Sequence, residues 1–173
     1  MNENFPGSAQ TQVTGIDNKG NTAGLWVGKA GTSRGFVEWD GVFGSFTDPH
    51  TPMVKDSVNQ LLGINNLGVA VGFYNDARGH SHAYEINQAT GVFTAIRIPG
   101  DVSTLATGIN NLGDIVGFGT DAAGVTSSWL LDDGYLTAYQ FPAAATLRRS
   151  GSTTTTRSSA PTPAAPGCCT GSR

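Results

Sequence analysis

The sequence predicts an all-β fold built from tandem four-stranded antiparallel repeats, arranged as an open three-blade propeller-like arc and followed by a disordered C-terminal tail. Three observations carry this. The chain repeats itself, with Gly15, Gly63 and Gly108 opening three similar segments 48 and 45 residues apart. Each segment alternates short apolar runs with Gly, Asn and Asp clusters, the pattern of short strands and tight turns. The composition has 24 glycines and only 13% charged residues, which disfavours helices because glycine costs helix stability and supplies turn geometry.

The repeat aligns in register. Thr14-Gly15-Ile16-Asp17-Asn18-Lys19-Gly20, Leu62-Gly63-Ile64-Asn65-Asn66-Leu67-Gly68 and Thr107-Gly108-Ile109-Asn110-Asn111-Leu112-Gly113 correspond. So do Gly24, Gly72 and Gly117, then Gly31, Gly79 and Gly124, then the aromatics Phe36, Tyr84 and Trp129. Gly41, Gly91 and Gly134 follow, and Pro49, Pro99 and Pro142 close each copy. The domains expected are an N-terminal extension over 1–9, repeats over about 10–49, 58–99 and 103–142, and a tail over 143–173.

The third copy shows the four strands most clearly. Leu105 to Ile109 is the first, ending in the turn Asn110-Asn111-Leu112-Gly113. Asp114 to Gly119 is the second, Ser127 to Leu131 the third with Trp129, and Tyr135 to Phe141 the fourth. Pro142 stops the ladder because it has no N–H to donate. The repeated Asn and Gly residues read as turn chemistry, through positive φ or side-chain bonds back to the backbone. A period near 45 residues with four strands suits one propeller blade. The apolar second strand is expected between neighbouring blades, and the aligned aromatic is expected to plug against the next one.

The pattern Gly-Ile-Asn-Asn-x-Gly, then an apolar pair with Gly, then His-Ala-aromatic, resembles the bacterial extracellular HAF repeat. The second copy carries it best, in Gly63 to Gly68, Val71-Gly72 and His82-Ala83-Tyr84. The first copy has Arg34-Gly35-Phe36 at the naming motif and the third has Ser127-Ser128-Trp129. The resemblance covers about residues 10 to 142 and implies a secreted or surface-associated bacterial protein. It implies no catalytic residue, and histidine in one copy of three argues against an essential repeated ligand.

After Pro142 the repeat pattern stops and the chain turns to Ser, Thr, Ala and Pro. A disordered linker is one reading. A frameshift is the sharper one. A shifted frame that takes the third base of each codon and the first two of the next leaves only its own first base free. From the Arg148 codon, permitted choices read Ala-Phe-Gly-Ile-Asn-Asn-Asp-Asp-Glu-Ile-Val-Gly-Ser-Tyr-Thr, then Gly-Gly-Ala-Gly-Leu-Leu-His-Gly-Phe. That is a fourth repeat, aligning without a gap from Leu61 to Tyr84. On this reading the adjacent pair Cys168-Cys169 has no evolved role.

Each candidate site also has a plainer structural role. His80 and His82 share a strand face and, with Asp76, suggest a metal, but neither other copy repeats the set; a solvated hairpin edge is the expectation. Asp17 to Asn21 and Asn75 to Gly79 resemble calcium loops but lack the later acidic ligand, so turns explain them. Glu38, Asp40, Glu85, Asp132 and Asp133 offer carboxylates for glycoside chemistry without converging in the repeat. Trp26 and Trp39 could stack a sugar, with Trp26 expected exposed; Trp129 holds the core-aromatic position. No Gly-x-Ser-x-Gly elbow, phosphate loop or zinc signature is present.

Catalytic, cofactor-binding and metal residues are accordingly expected to be none, and no cofactor is implied. The net charge of −3 offers no basic field for nucleic acid. No apolar run is long enough to span a membrane. The N-terminus, Met1 to Gly7, lacks the basic start and apolar core of a signal peptide, so the chain as written would be cytoplasmic if complete, whereas the resemblance implies an extracellular or cell-surface place. The expected role is a non-enzymatic module, a fragment of a surface β-repeat protein, whose ligand the sequence does not identify, carbohydrate and protein being the candidates. The competing readings are a truncated carbohydrate-active propeller enzyme and a non-functional gene fragment. Self-association through open sheet edges is expected.

Overall fold

The structure is a computed structural model that describes residues 4–52 and 54–139. Twelve strands form three separate four-stranded antiparallel sheets, and no helix occurs among the described residues. Sheet 1 comprises β1 (Gln10–Ile16), β2 (Thr22–Val27), β3 (Ser33–Trp39) and β4 (Val42–Phe46). Sheet 2 comprises β5 (Asn59–Ile64), β6 (Val69–Asn75), β7 (Ser81–Asn87) and β8 (Val92–Ala95). Sheet 3 comprises β9 (Asp101–Ile109), β10 (Ile115–Asp121), β11 (Thr126–Asp132) and β12 (Tyr135–Tyr139). Each sheet is a meander in chain order, and the three follow in series without closing into a barrel. β9 begins at Asp101, ahead of the expected start, because its pairing with β10 reaches back to Asp121↔Asp101. The expected disorder of the tail concerns residues outside the described ones.

The hairpin turns follow the sequence logic. Asp17, Asn65 and Asn110 each accept, on one side-chain oxygen, the backbone N–H groups two and four residues ahead. Asp76 and Asp121 do the same in the second hairpin of their sheets. Burial pushes the Asp17 carboxyl up, but hydrogen bonds from Asn21, Lys19 and Gly20 outweigh it and hold it below the usual value. The Asp40-Gly41 and Asp133-Gly134 turns have positive φ at both residues, the mirror-image geometry that suits the twist of a two-residue hairpin.

Turn chemistry does not account for every repeated glycine, a correction to the sequence reading. Gly15, Gly63 and Gly108 lie inside strands at ordinary φ. A Cβ on Gly15 would stand 2.9 Å from the Gly63 Cα, and one on Gly63 would stand 3.1 Å from the Gly108 Cα. These glycines let the first strands of successive sheets touch backbone to backbone. In each sheet the residue just before this glycine (Thr14, Leu62 or Thr107) is skipped in the ladder, so the same β-bulge recurs three times. Opposite the bulge, a Cβ on Gly24, Gly72 or Gly117 would overlap the carbonyl oxygen of Gln12, Gln60 or Leu105.

The two cores lie between sheets. Ala23 and Val37 of sheet 1 bury against Leu61, Ile64, Ala70, Tyr84 and Ile86 of sheet 2. Val71 and Ala83 of sheet 2 bury against Ala106, Ile115 and Trp129 of sheet 3. The second strand therefore serves both neighbours, with Ala70 facing backward and Val71 forward. Tyr84 and Trp129 pack on the preceding sheet rather than on the next one, which corrects the sequence expectation. Phe36, their equivalent in sheet 1, packs with Phe43 and with Phe5 of the N-terminal segment.

Asn59 ties sheets 1 and 2 together. It is fully buried; its Oδ1 accepts from the Tyr84 hydroxyl at 2.9 Å and the Gly35 N–H at 3.2 Å, while its Nδ2 donates to Thr51. Asn59→Ala strands these partners without water and is expected to cost about 3 kcal/mol. Gly72→Ala forces the bulge open and is expected to cost roughly as much. Urea denaturation of each variant measures both; a loss under roughly 1 kcal/mol would show that the interface repacks around the change.

Candidate binding cleft

The HAF-like motif of the second copy becomes three separate contacts, because alternate strand residues face opposite ways. Tyr84 plugs the core against sheet 1, Ala83 is small where sheet 3 packs, and His82 points back beside Tyr74, its cross-strand partner. Tyr74 and His82 are both half-buried, with Tyr74 packed at the margin of the first core. The segment after β4 folds over them, carrying Asp48, Pro49 and His50. Together with Phe93, Ala95 and Arg97 these residues line a cleft of about 240 Å³.

The rings form a ladder. Tyr74 lies 5.1 Å from His82 and 6.1 Å from His50 between centroids, both nearly parallel to it. The buried Asp48 carboxylate fixes His50, accepting from its backbone N–H at 2.8 Å and meeting its Nδ1 at 2.9 Å. The His50 side chain itself is 77% exposed, so the ladder ends on an open ring. Burial and the nearby Asp48 charge hold the Tyr74 phenol above its ordinary value, so the ring stays neutral.

Asp76 gathers the two histidines read from the sequence: its Oδ2 lies 3.0 Å from His82 Nε2 and 3.9 Å from His80 Nδ1. The hydrogen bond from His82 chiefly lowers its carboxyl, to about 2. Its other oxygen already serves the turn, and among the described residues no group of three His, Cys, Asp or Glu side chains is arranged to hold a metal ion. Asp17 is used by its own turn in the same way.

The remaining candidates fall into separate groups. Glu38 is buried and accepts the Gly41 N–H at 2.6 Å, while Asp40 sits in the adjoining turn. Glu85, Asp132 and Asp133 do approach one shallow groove, joined by Asp114, which the repeat alignment did not single out. Its hydrogen bond to Asp114 pushes the Asp132 carboxyl above the usual range. Trp26 is half-buried rather than exposed, with Phe5 stacked on it at 4.6 Å and Arg34 at 5.7 Å. Trp39 packs against the first core under Lys19, and Trp129 is only 2% exposed.

His50 and Asp48 are the cleft residues that sequence reasoning missed. They lie in an irregular connection, and only folding brings them over Tyr74. No protein-family model and no curated protein matches this chain.

The lowered Asp76 carboxyl gives a pH signature. Its folded-state value lies below the ordinary 3.8, so its contribution is complete above about pH 4 and fades as pH falls through about 2. Asp76→Ala should therefore lower the thermal midpoint at pH 7, and the gap to the parent should narrow between pH 4 and pH 2. A gap that stays constant across that range would remove the charge-dependent role.

Proposed function

We propose that this chain is a non-enzymatic binding module, part of a bacterial extracellular or surface-associated protein of HAF-like repeats, and that the cleft beside Tyr74 receives a carbohydrate. One observation carries the reading: the residues common to all three copies are consumed in turns and in sheet stacking, whereas the His50–Tyr74–His82 ladder belongs to one copy. A scaffold of repeats with a private cleft is the arrangement of a binding protein. Parallel rings ending on an exposed face suit the apolar face of a sugar, and Asp48 and Arg97 supply polar groups in the lining.

The test uses the full chain and soluble tetrasaccharides of glucose, galactose and N-acetylglucosamine. Nuclear magnetic resonance of the histidine ring protons should show saturable shifts at His50 and His82 for one of them, with Kd on the order of 1 mM. His50→Ala should abolish the response while leaving the thermal midpoint unchanged, since that side chain is exposed. Silence of both histidines toward all three sugars would discard the carbohydrate, and release of new reducing ends would discard the non-enzymatic role.

A further inference from the structure

The front of sheet 3 repeats the surfaces that sheets 1 and 2 bury. Ala23 and Val71 are fully buried by the sheet that follows them, whereas their equivalent Val116 is 46% exposed. Phe118 beside it is 38% exposed, and Tyr135 and Tyr139 continue the same face. An apolar sheet face of this kind is a binding surface.

Three backbone-level contacts say what fits it. In the two existing interfaces the first strand of the following sheet lies across the preceding one, glycine against glycine, from Gly15 to Gly63 and from Gly63 to Gly108. Among the described residues, Gly108 has only Val116 of its own sheet near its Cβ direction. The Asn18 N–H donates to the Asn66 side chain, and the Asn66 N–H donates to the Asn111 side chain, each at 2.9 Å. The Asn111 N–H has no such acceptor among the described residues. The Thr14 hydroxyl has two carbonyl acceptors in reach, Ala23 of its own sheet at 3.2 Å and Leu61 of the next at 2.7 Å, and the shorter contact takes its proton across. The Thr107 hydroxyl makes the first of these contacts, to Val116.

We infer that this face is the docking surface for a fourth unit of the same repeat, and that the unit is the one written in the shifted frame from the Arg148 codon. The inference rests on the stacking geometry and is independent of the sugar cleft. The shifted frame permits glycine at Gly151, matching Gly63, and asparagine at Thr154, matching Asn66. It permits alanine at Arg149, matching Leu61, where it would meet the small Ser128. With TCN codons, Ser152, Ser158 and Ser172 can become only Phe, Leu, Ile or Val. These three align with Ile64, Ala70 and Tyr84, which all pack backward onto the preceding sheet. With those codons the shifted frame places apolar residues on the backward face, which matches the apolar face in front of it. The other end of the series is partly occupied, since Phe5 covers Phe36 and Trp26 while Ile16 stays exposed. That cover disfavours a second copy docking head to tail.

The test has two parts. The gene sequence beyond Arg148 should encode, in the shifted frame, glycine at Gly151, asparagine at Thr154 and apolar residues at the three serines; a stop codon or charged residues there overturn the inference. The full chain is then compared with a version whose frame is restored by inserting one base immediately after the Arg148 codon. Amide hydrogen exchange at Asn111 and Val116 should slow at least about tenfold in the restored chain. Unchanged exchange in a restored chain that gains β signal by circular dichroism overturns the inference. A dimer of the parent chain by light scattering that Val116→Glu dissolves would assign the face to a second copy instead. If the restored chain fails to fold, the gene sequence alone decides.

Discussion

The close approach of the first strands at Gly15, Gly63 and Gly108 is the constraint from which the rest of the structure follows. Backbones that touch there leave no room for a side chain on Gly15 and almost none on Gly63. The bulge beside each glycine aligns the Thr14 hydroxyl and the Asn side chains with polar groups of the next sheet. With that distance fixed, the gap between sheets is set, and the residues that fill it are constrained in size. Leu61 fits over Gly35, and the second interface instead uses Ala83 with Ala106. Buried polar groups are satisfied across the same gap, as Asn59 shows, so the interface has directional bonds as well as apolar burial.

The same geometry separates scaffold from site. Residues that every copy shares serve turns or, where a neighbouring sheet is present, the contact with it. What differs between copies is left on the outer part of each sheet, where stacking does not reach. There sheet 1 has Trp26 with Arg34 under Phe5, and sheet 2 has Tyr74 with His82 under His50. Sheet 3 has Gly119 opposite Ser127 at the equivalent place. The cleft thus arises where a connecting segment crosses an aromatic pair, and its chemistry is free to vary without disturbing the stack.

Much of the fold was legible because turns and strand alternation are local. Asp17, Asn65 and Asn110 bond to backbone two and four residues ahead, and Asp133-Gly134 makes its turn unaided. The direction in which Tyr84 and Trp129 pack is not legible in the repeat, because a strand has two faces and the repeat does not say which neighbour each one meets. The role of Gly24, Gly72 and Gly117 was also hidden. A glycine demanded by a carbonyl across a bulge reads the same as one demanded by positive φ. Within the cleft, His82 and Asp76 were visible as neighbours in sequence, but His50 and Asp48 were not.

By itself the sequence determined the repeat, its period, the twelve strands and the chemistry of their turns. These depend on contacts within a few residues or on internal similarity. Only the tertiary structure decided which face of each sheet meets which neighbour, how tightly the glycine strands pack, and that His50 closes over Tyr74. Those outcomes depend on distances between residues far apart in the chain, which no local pattern records.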